Sequence, residues 1–289
     1  PMQIVRSKAA ALGRCRICFI ADLPAMGYRT YRIIKKDNAK EFDSLYCTDT
    51  DFENQFFRVE FDGCSGYIKS FIKKDSNDRM FGGDAAVPVV ISDKSDTWSH
   101  GVRRFDNVVG YFRAVNVHCV EDGPVRAVIR VESRYGKSSV NQDFTIYDDL
   151  DFIKVDTTVD WHEKQSMLKL KFPINLNYCR GSYEIPYGFV EREPDGDEYP
   201  MQSWIDFEGS TPGNANIIGL SILNDGKYSY DTDNKVVGLT VLRSPIYANH
   251  EPFVPDENLD YAYMDQGIQK FTYALYPHNG SFENAETVR

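Results

Sequence analysis

Two stretches of the chain combine side chains that could hold or transform a small polar ligand. Ser95-Asp96-Thr97-Trp98-Ser99-His100-Gly101 sets an indole and an imidazole two residues apart in a polar loop that ends on glycine. Trp98 offers an apolar face on which a pyranose ring can stack, and His100 a hydrogen-bonding edge, which together suit sugar recognition. A buried tryptophan anchoring a long connection would leave the same pattern. Tyr187, Arg192 and Trp204 form a second set. Arg192 suits a hydroxyl or carboxylate ligand, and equally an ion pair with a neighbouring glutamate.

Other reactive groups are numerous but poorly placed for chemistry. Glu184, Glu191, Glu193, Asp195, Asp197 and Glu198 crowd into residues 184–198. They read better as a charged hairpin around Asp195-Gly196 than as an acid/base pair, because close carboxylates repel unless buried. Cys15 and Cys18 make one C-x-x-C with no second pair to complete a zinc site. Within Arg14 to Ile20 they read as two small thiols on a strand. The five histidines, at 100, 118, 162, 250 and 278, include no H-x-H or H-x-x-x-H pair. G-x-S-x-G, P-loop and G-x-G-x-x-G patterns are absent. The sequence therefore nominates no catalytic residue and no metal ligand.

The elements that must position these residues are strands. Phe57, Val59 and Phe61 alternate with Arg58, Glu60 and Asp62; Ile153, Val155, Thr157 and Val159 alternate with Lys154, Asp156 and Asp160; Leu168, Leu170 and Phe172 alternate with Lys169 and Lys171. This is the period of half-buried strands. Asp62-Gly63, Gly82-Gly83, Asp122-Gly123-Pro124, Asp195-Gly196, Asn224-Asp225-Gly226 and Asn279-Gly280 punctuate them as turns. No window carries a long amphipathic helix. The pattern predicts an all-β fold, antiparallel sheets packed as a sandwich. The polar stretch from Lys35 to Phe42 suggests a boundary within residues 36–50. A small β portion and linker would then span 1–48 and a large β-sandwich 49–289.

Composition narrows the partners. The 289 residues are 42% hydrophobic and 26% charged, enough to bury a core without disulfides or metals. A net charge of −10 argues against nucleic acid and anionic membranes as partners. Lys73-Lys74 and Arg103-Arg104 are short basic pairs that read as solvated surface. No apolar run reaches the length of a membrane-spanning helix. Six irregularly spaced cysteines fit a reducing cytoplasm. The chain opens on Pro1 without a signal-peptide core and enters strand-like sequence at once, so it is expected to be a fragment.

Five segments, in order and at matching spacing, resemble the C-terminal half of glycoside hydrolase family 38. They are Asp22 to Tyr31 with its P-x-x-G-Y-x-x-Y core, Phe52 to Phe61 followed by Gly66 to Ser70, and Glu184 to Arg192 with Tyr199 to Trp204. The last two are Leu223 to Asp231 with Leu239 to Pro245, and Asp265 to Gly267 with Tyr273 to Gly280. The resemblance covers nearly the whole chain. It implies β-sandwich modules, the larger similar to a galactose-mutarotase super-sandwich, in agreement with the strand pattern.

The resemblance also implies a parent protein that is a retaining, zinc-dependent α-mannosidase. Retention needs a carboxylate nucleophile and a carboxyl acid/base. In the family both belong to the N-terminal barrel, and no residue here matches them or its zinc ligands. The expected function is that of the non-catalytic C-terminal part, inactive alone and without a cofactor of its own. Zinc would stay in the catalytic domain. The partners are then that domain of the same polypeptide and an α-mannoside, with homo-oligomerisation left open. The loop at Trp98 and His100 is expected to reach the sugar site, and to be exposed and mobile in this chain by itself. A free-standing carbohydrate-binding module and a mutarotase-like epimerase are the alternatives.

Overall fold

The computed structural model describes residues 2–5, 16–34, 45–177, 179–213, 215–256 and 258–285. Cys15 and the part of the expected linker from 36 to 44 lie outside the described residues. Among the described residues there is no helix, and every strand pairing is antiparallel.

A ribbon pairs β1 (Gln3–Val5) with β2 (Arg16–Cys18). Five short strands follow as one sheet in sequence order: β3 (Tyr46–Cys47), β4 (Asp51–Glu53), β5 (Phe57–Phe61), β6 (Ile68–Lys73) and β7 (Asp78–Arg79). β3 pairs with β4 across the expected boundary at residue 48. Two larger sheets form the body. The nine-stranded sheet has the order β10 (Arg113–Glu121), β11 (Arg126–Tyr135), β12 (Ser138–Tyr147), β13 (Leu150–Trp161), β22 (Gly267–Asn279), β19 (Ile217–Asn224), β18 (Trp204–Ser210), β15 (Cys179–Ile185) and β16 (Gly188–Arg192). The six-stranded sheet runs β17 (Asp195–Pro200), β20 (Ser229–Asp233), β21 (Val236–Arg243), β14 (Ser166–Pro173), β8 (Val87–Ser92) and β9 (Val108–Tyr111).

The alternation in the sequence decides which faces meet. Ile153, Val155, Val159 and Trp161 of β13 are buried, and so are Leu168, Leu170 and Phe172 of β14; all belong to one continuous core. The five-stranded sheet joins the same core through its phenylalanines. Phe61 meets Phe144 edge-on at 4.8 Å, and Phe81 lies 6.1 Å from Phe172. The ribbon docks through Gln3, whose amide donates to Glu121 at 2.7 Å and accepts from the N–H groups of Val125 and Arg126.

β8 departs from alternation because both of its faces are covered. Val90 points into the main core. Val87, Val89 and Ile91 join Tyr67, Phe105 and Met167 in a second cluster on the outer face of the six-stranded sheet. Phe105 belongs to residues 93–107, which connect β8 to β9 across that outer face. The candidate loop lies in this connection.

Candidate functional site

Strand adjacency brings the loop to its partners. Met167 of β14 is flanked by Ile91 of β8 on one side and Arg243 of β21 on the other. The segments leaving β8 and β21 therefore emerge side by side. Arg243 bridges them: its Nε donates to Asp93 at 2.8 Å and its Nη2 to the Ser95 hydroxyl at 2.8 Å. Its Nη1 donates to the Thr97 carbonyl at 3.4 Å, and the guanidinium lies 5.0 Å over the Phe105 ring.

Asp96 organises the turn itself. Its side chain is only 2% exposed. Oδ1 accepts the backbone N–H groups of Trp98 and His100, both at 3.0 Å. Oδ2 accepts Nδ1–H of His100 at 2.6 Å and the backbone N–H of Glu251 at 3.1 Å. These donors, the imidazole first among them, hold the carboxyl well below the usual carboxylate range. Thr97 adds two bonds to the facing segment, from its N–H to Asn249 O and from its hydroxyl to Ile246 O. Gly101 closes the turn at φ +72°, a backbone conformation that favours glycine.

This framework presents three rings to solvent. Trp98 is 57% exposed and the His100 side chain 49%. His250, from the facing segment, lies 4.8 Å from His100 and 5.4 Å from Trp98, ring centre to centre, while Trp98 and His100 are 6.3 Å apart. The rings are mutually tilted and form one exposed three-ring cluster, termed the cup. Beside it lies a cleft of about 390 Å³ lined by Thr97, Lys227, Tyr228, Thr240, Arg243 and Asp265. Lys227 there donates to the Gln269 side chain at 3.2 Å, and burial pushes its pKa down against the opposing pull of Asp265 and Asp225. The expectation of an exposed loop matches this arrangement. Arg243 ties the base of the loop to β21, and Asp96 ties its turn to the segment at Glu251.

The second set does not converge. Tyr187 sits fully exposed at the turn between β15 and β16 with φ +69°. Arg192 is committed to a cage of tyrosines, 4.8 Å from the Tyr199 ring and under 6 Å from Tyr183 and Tyr230. It also donates to Pro200 O and the Tyr230 hydroxyl. Trp204 is buried, with its ring 5.0 Å from that of Phe282.

The carboxylate cluster also disperses. Asp197 pairs with Arg104, Asp195 accepts from the Tyr199 hydroxyl, and Glu184 accepts from the Ser203 N–H. Glu198 turns inward to Lys169. Among the described residues no three His, Cys, Asp or Glu side chains converge as a metal set.

With fold and cup in place, the relationships of the chain are clear. It belongs to the glycosyl hydrolases family 38 C-terminal domain, whose profile matches residues 52–257. It is 28% identical over 256 residues to Alpha-mannosidase G of Dictyostelium discoideum, covering 82% of this chain and 22% of that protein. It is 32% identical over 146 residues to human Alpha-mannosidase 2C1, covering 48% of this chain and 12% of that one. The chain thus spans about a fifth or less of these curated relatives.

Among solved structures, a family 38 glycosyl hydrolase protein from Enterococcus faecalis superposes with a TM-score of 0.69 at 15% identity, over 88% of this chain and 33% of that one. An alpha-mannosidase from Enterococcus faecalis V583 gives 0.64 at 15% identity, over 83% and 30%. At that identity the likeness establishes the all-β fold.

The sequence singles out Trp98 and His100; Asp96, Arg243 and His250, which the fold brings beside them, it does not. Arg243 lay within a quoted motif, Leu239 to Pro245, which was a usable signal. His250 stands alone in a polar stretch and carried none.

Proposed function

We propose that this chain is the non-catalytic C-terminal part of a retaining α-mannosidase, supporting the catalytic barrel of the same polypeptide and lending the Trp98–His100–His250 cup to its sugar site. The supporting observation is the cup itself. Three exposed rings are held by a buried carboxylate and a half-buried guanidinium link, a costly arrangement for surface that contacts only water. A preorganised aromatic face with polar edges is what a pyranose requires. On this reading the zinc and both catalytic carboxylates belong to the barrel, and the enzyme is cytoplasmic.

Two measurements test the reading. The chain by itself should not hydrolyse aryl α-mannosides, because it lacks the nucleophile of the covalent step. Turnover by a purified sample that a single carboxylate substitution within residues 184–198 abolishes would place the active site here instead. In the intact enzyme, Trp98→Ala should lower kcat/KM by about tenfold, or about 1–2 kcal/mol of transition-state binding, without lowering the unfolding midpoint; His100→Ala should lower kcat/KM as far and also lower the midpoint, because it strips a donor from the buried Asp96 carboxylate. Unchanged kcat/KM in both variants would remove the cup from the sugar site.

A further inference from the structure

The hydrogen bonds beneath the cup fix where its protons are. Asp96 is held ionised and can only accept, so the 2.6 Å bond to His100 Nδ1 requires the proton on that nitrogen. His250 Nδ1 is bonded to the backbone carbonyl of Glu251, which also can only accept, so its proton is on Nδ1 as well. In the neutral rings both Nε2 atoms are then bare lone pairs. Neither Nε2 has a hydrogen-bond partner among the described residues. Two such acceptors on rings 4.8 Å apart cannot satisfy each other, since neither carries a hydrogen to give. Both rings are exposed, so water serves the two acceptors in the free protein, and one ligand carrying two donors can replace it.

We propose that His100 and His250 work as a pair, their two Nε2 atoms accepting hydrogen bonds from two neighbouring hydroxyls of one sugar ring whose apolar face lies on Trp98. This deepens the reading above and rests on it. Trp98 supplies contact that tolerates many pyranoses, since every such ring has a C–H face. The paired acceptors add selectivity for where the hydroxyls stand. A sugar lacking one of those hydroxyls leaves an imidazole lone pair unmatched in a partly desolvated cup, which is where hydrogen-bonding sites discriminate most. His250, on a different segment from Trp98 and His100, becomes a specificity-determining residue that only the fold reveals.

The test pairs substrate and protein deletions in the intact enzyme. His100→Phe and His250→Phe keep a ring of similar size and remove the nitrogens, and unfolding midpoints control for stability. Substrates are an aryl α-mannoside and its 2-, 3-, 4- and 6-deoxy analogues. Each variant should lose about tenfold in kcat/KM on the parent mannoside. Each should lose under twofold on one deoxy analogue, with His100 and His250 assigned to adjacent positions of the ring. If both variants lose the same factor on every analogue while Trp98→Ala still impairs the enzyme, the pairing is wrong and the sugar-site reading survives. If none of the three variants alters kcat/KM, the sugar-site reading itself fails. Uniform losses together with stoichiometric Ni²⁺ binding to the chain, abolished by His250→Phe in calorimetry, would assign the lone pairs to a cation and overturn the proposal.

Discussion

Replacing Lys169 with alanine should cost the domain about 3–5 kcal/mol of stability, the size expected when one partner of a buried ion pair is removed. Lys169 stands on β14 between Leu168 and Leu170, and its side chain is 0% exposed. It points to the outer face of the six-stranded sheet, where its ammonium meets Glu198 of β17 and Asp231 of β20. Hydroxyls of Ser229 and Thr240 complete Glu198, and Lys171 bonds Asp231 at 2.7 Å. Gly238 of β21 leaves room for this cluster, since a Cβ there would come within 2.1 Å of Asp231 Oδ1.

Without Lys169 two carboxylates remain in one largely buried site with a single, partly exposed lysine to balance them. Urea unfolding at neutral pH measures the effect. Lys169→Met should fare little better, because the stem is kept and the charge is not. A combined Lys169→Met, Glu198→Gln, Asp231→Asn variant should regain much of the loss, because no unbalanced charge is left. A loss under about 1 kcal/mol for Lys169→Ala would mean that water reaches the cluster and that its burial is only apparent.

Lys169 also marks where reading the sequence stops. Alternation correctly assigned Leu168, Leu170 and Phe172 to one face of β14 and the lysines to the other. Period alone gives the face and not what covers it. On that face Lys169 is met by the Glu198 side chain, reaching over from β17 of the same sheet, and the cluster beside it is closed by residues 93–107, whose order carries no periodicity. The same reason explains the carboxylate stretch. Glu198 looks like one more charge in a polar hairpin until β17 pairs with β20 and turns it toward Lys169.

At the cup, Trp98 and His100 were legible because they stand two residues apart in one loop. Asp96 was in view but its four donors were not, since one of them comes from Glu251. His250 and Arg243 reach the site only because β14 separates β8 from β21 by a single strand. Arg192 shows the converse. A lone arginine among acidic neighbours suggests an ion pair or a ligand, yet Tyr183 of the paired strand β15, together with Tyr199 and Tyr230 of the other sheet, claims its guanidinium.

Arg243→Ala should produce a loss of about 3–5 kcal/mol, with a functional signature that Lys169→Ala lacks. Asp93, its ion-pair partner at 2.8 Å, has a side chain 0% exposed. Truncating Arg243 leaves that carboxylate buried with, among the described residues, the Ser95 hydroxyl and the Ser95 N–H as its remaining donors. The bonds from the guanidinium to Ser95 and to the Thr97 carbonyl vanish with it, so the base of the loop loses its link to β21. Amide hydrogen exchange within residues 95–101 should then quicken relative to the strands beneath, and the three-ring cup should lose its fixed shape. Arg243→Lys should fall between, because an ammonium keeps the charge but cannot span Asp93, Ser95 and Thr97 together. In the intact enzyme Arg243→Ala should lower kcat/KM at least as far as Trp98→Ala, although the arginine need not touch the sugar. Equal exchange in residues 95–101 of the variant and the unaltered chain would reduce Arg243 to a stabilising contact with no hold on the cup. A variant as stable as the original would show instead that Asp93 is not in need of its partner.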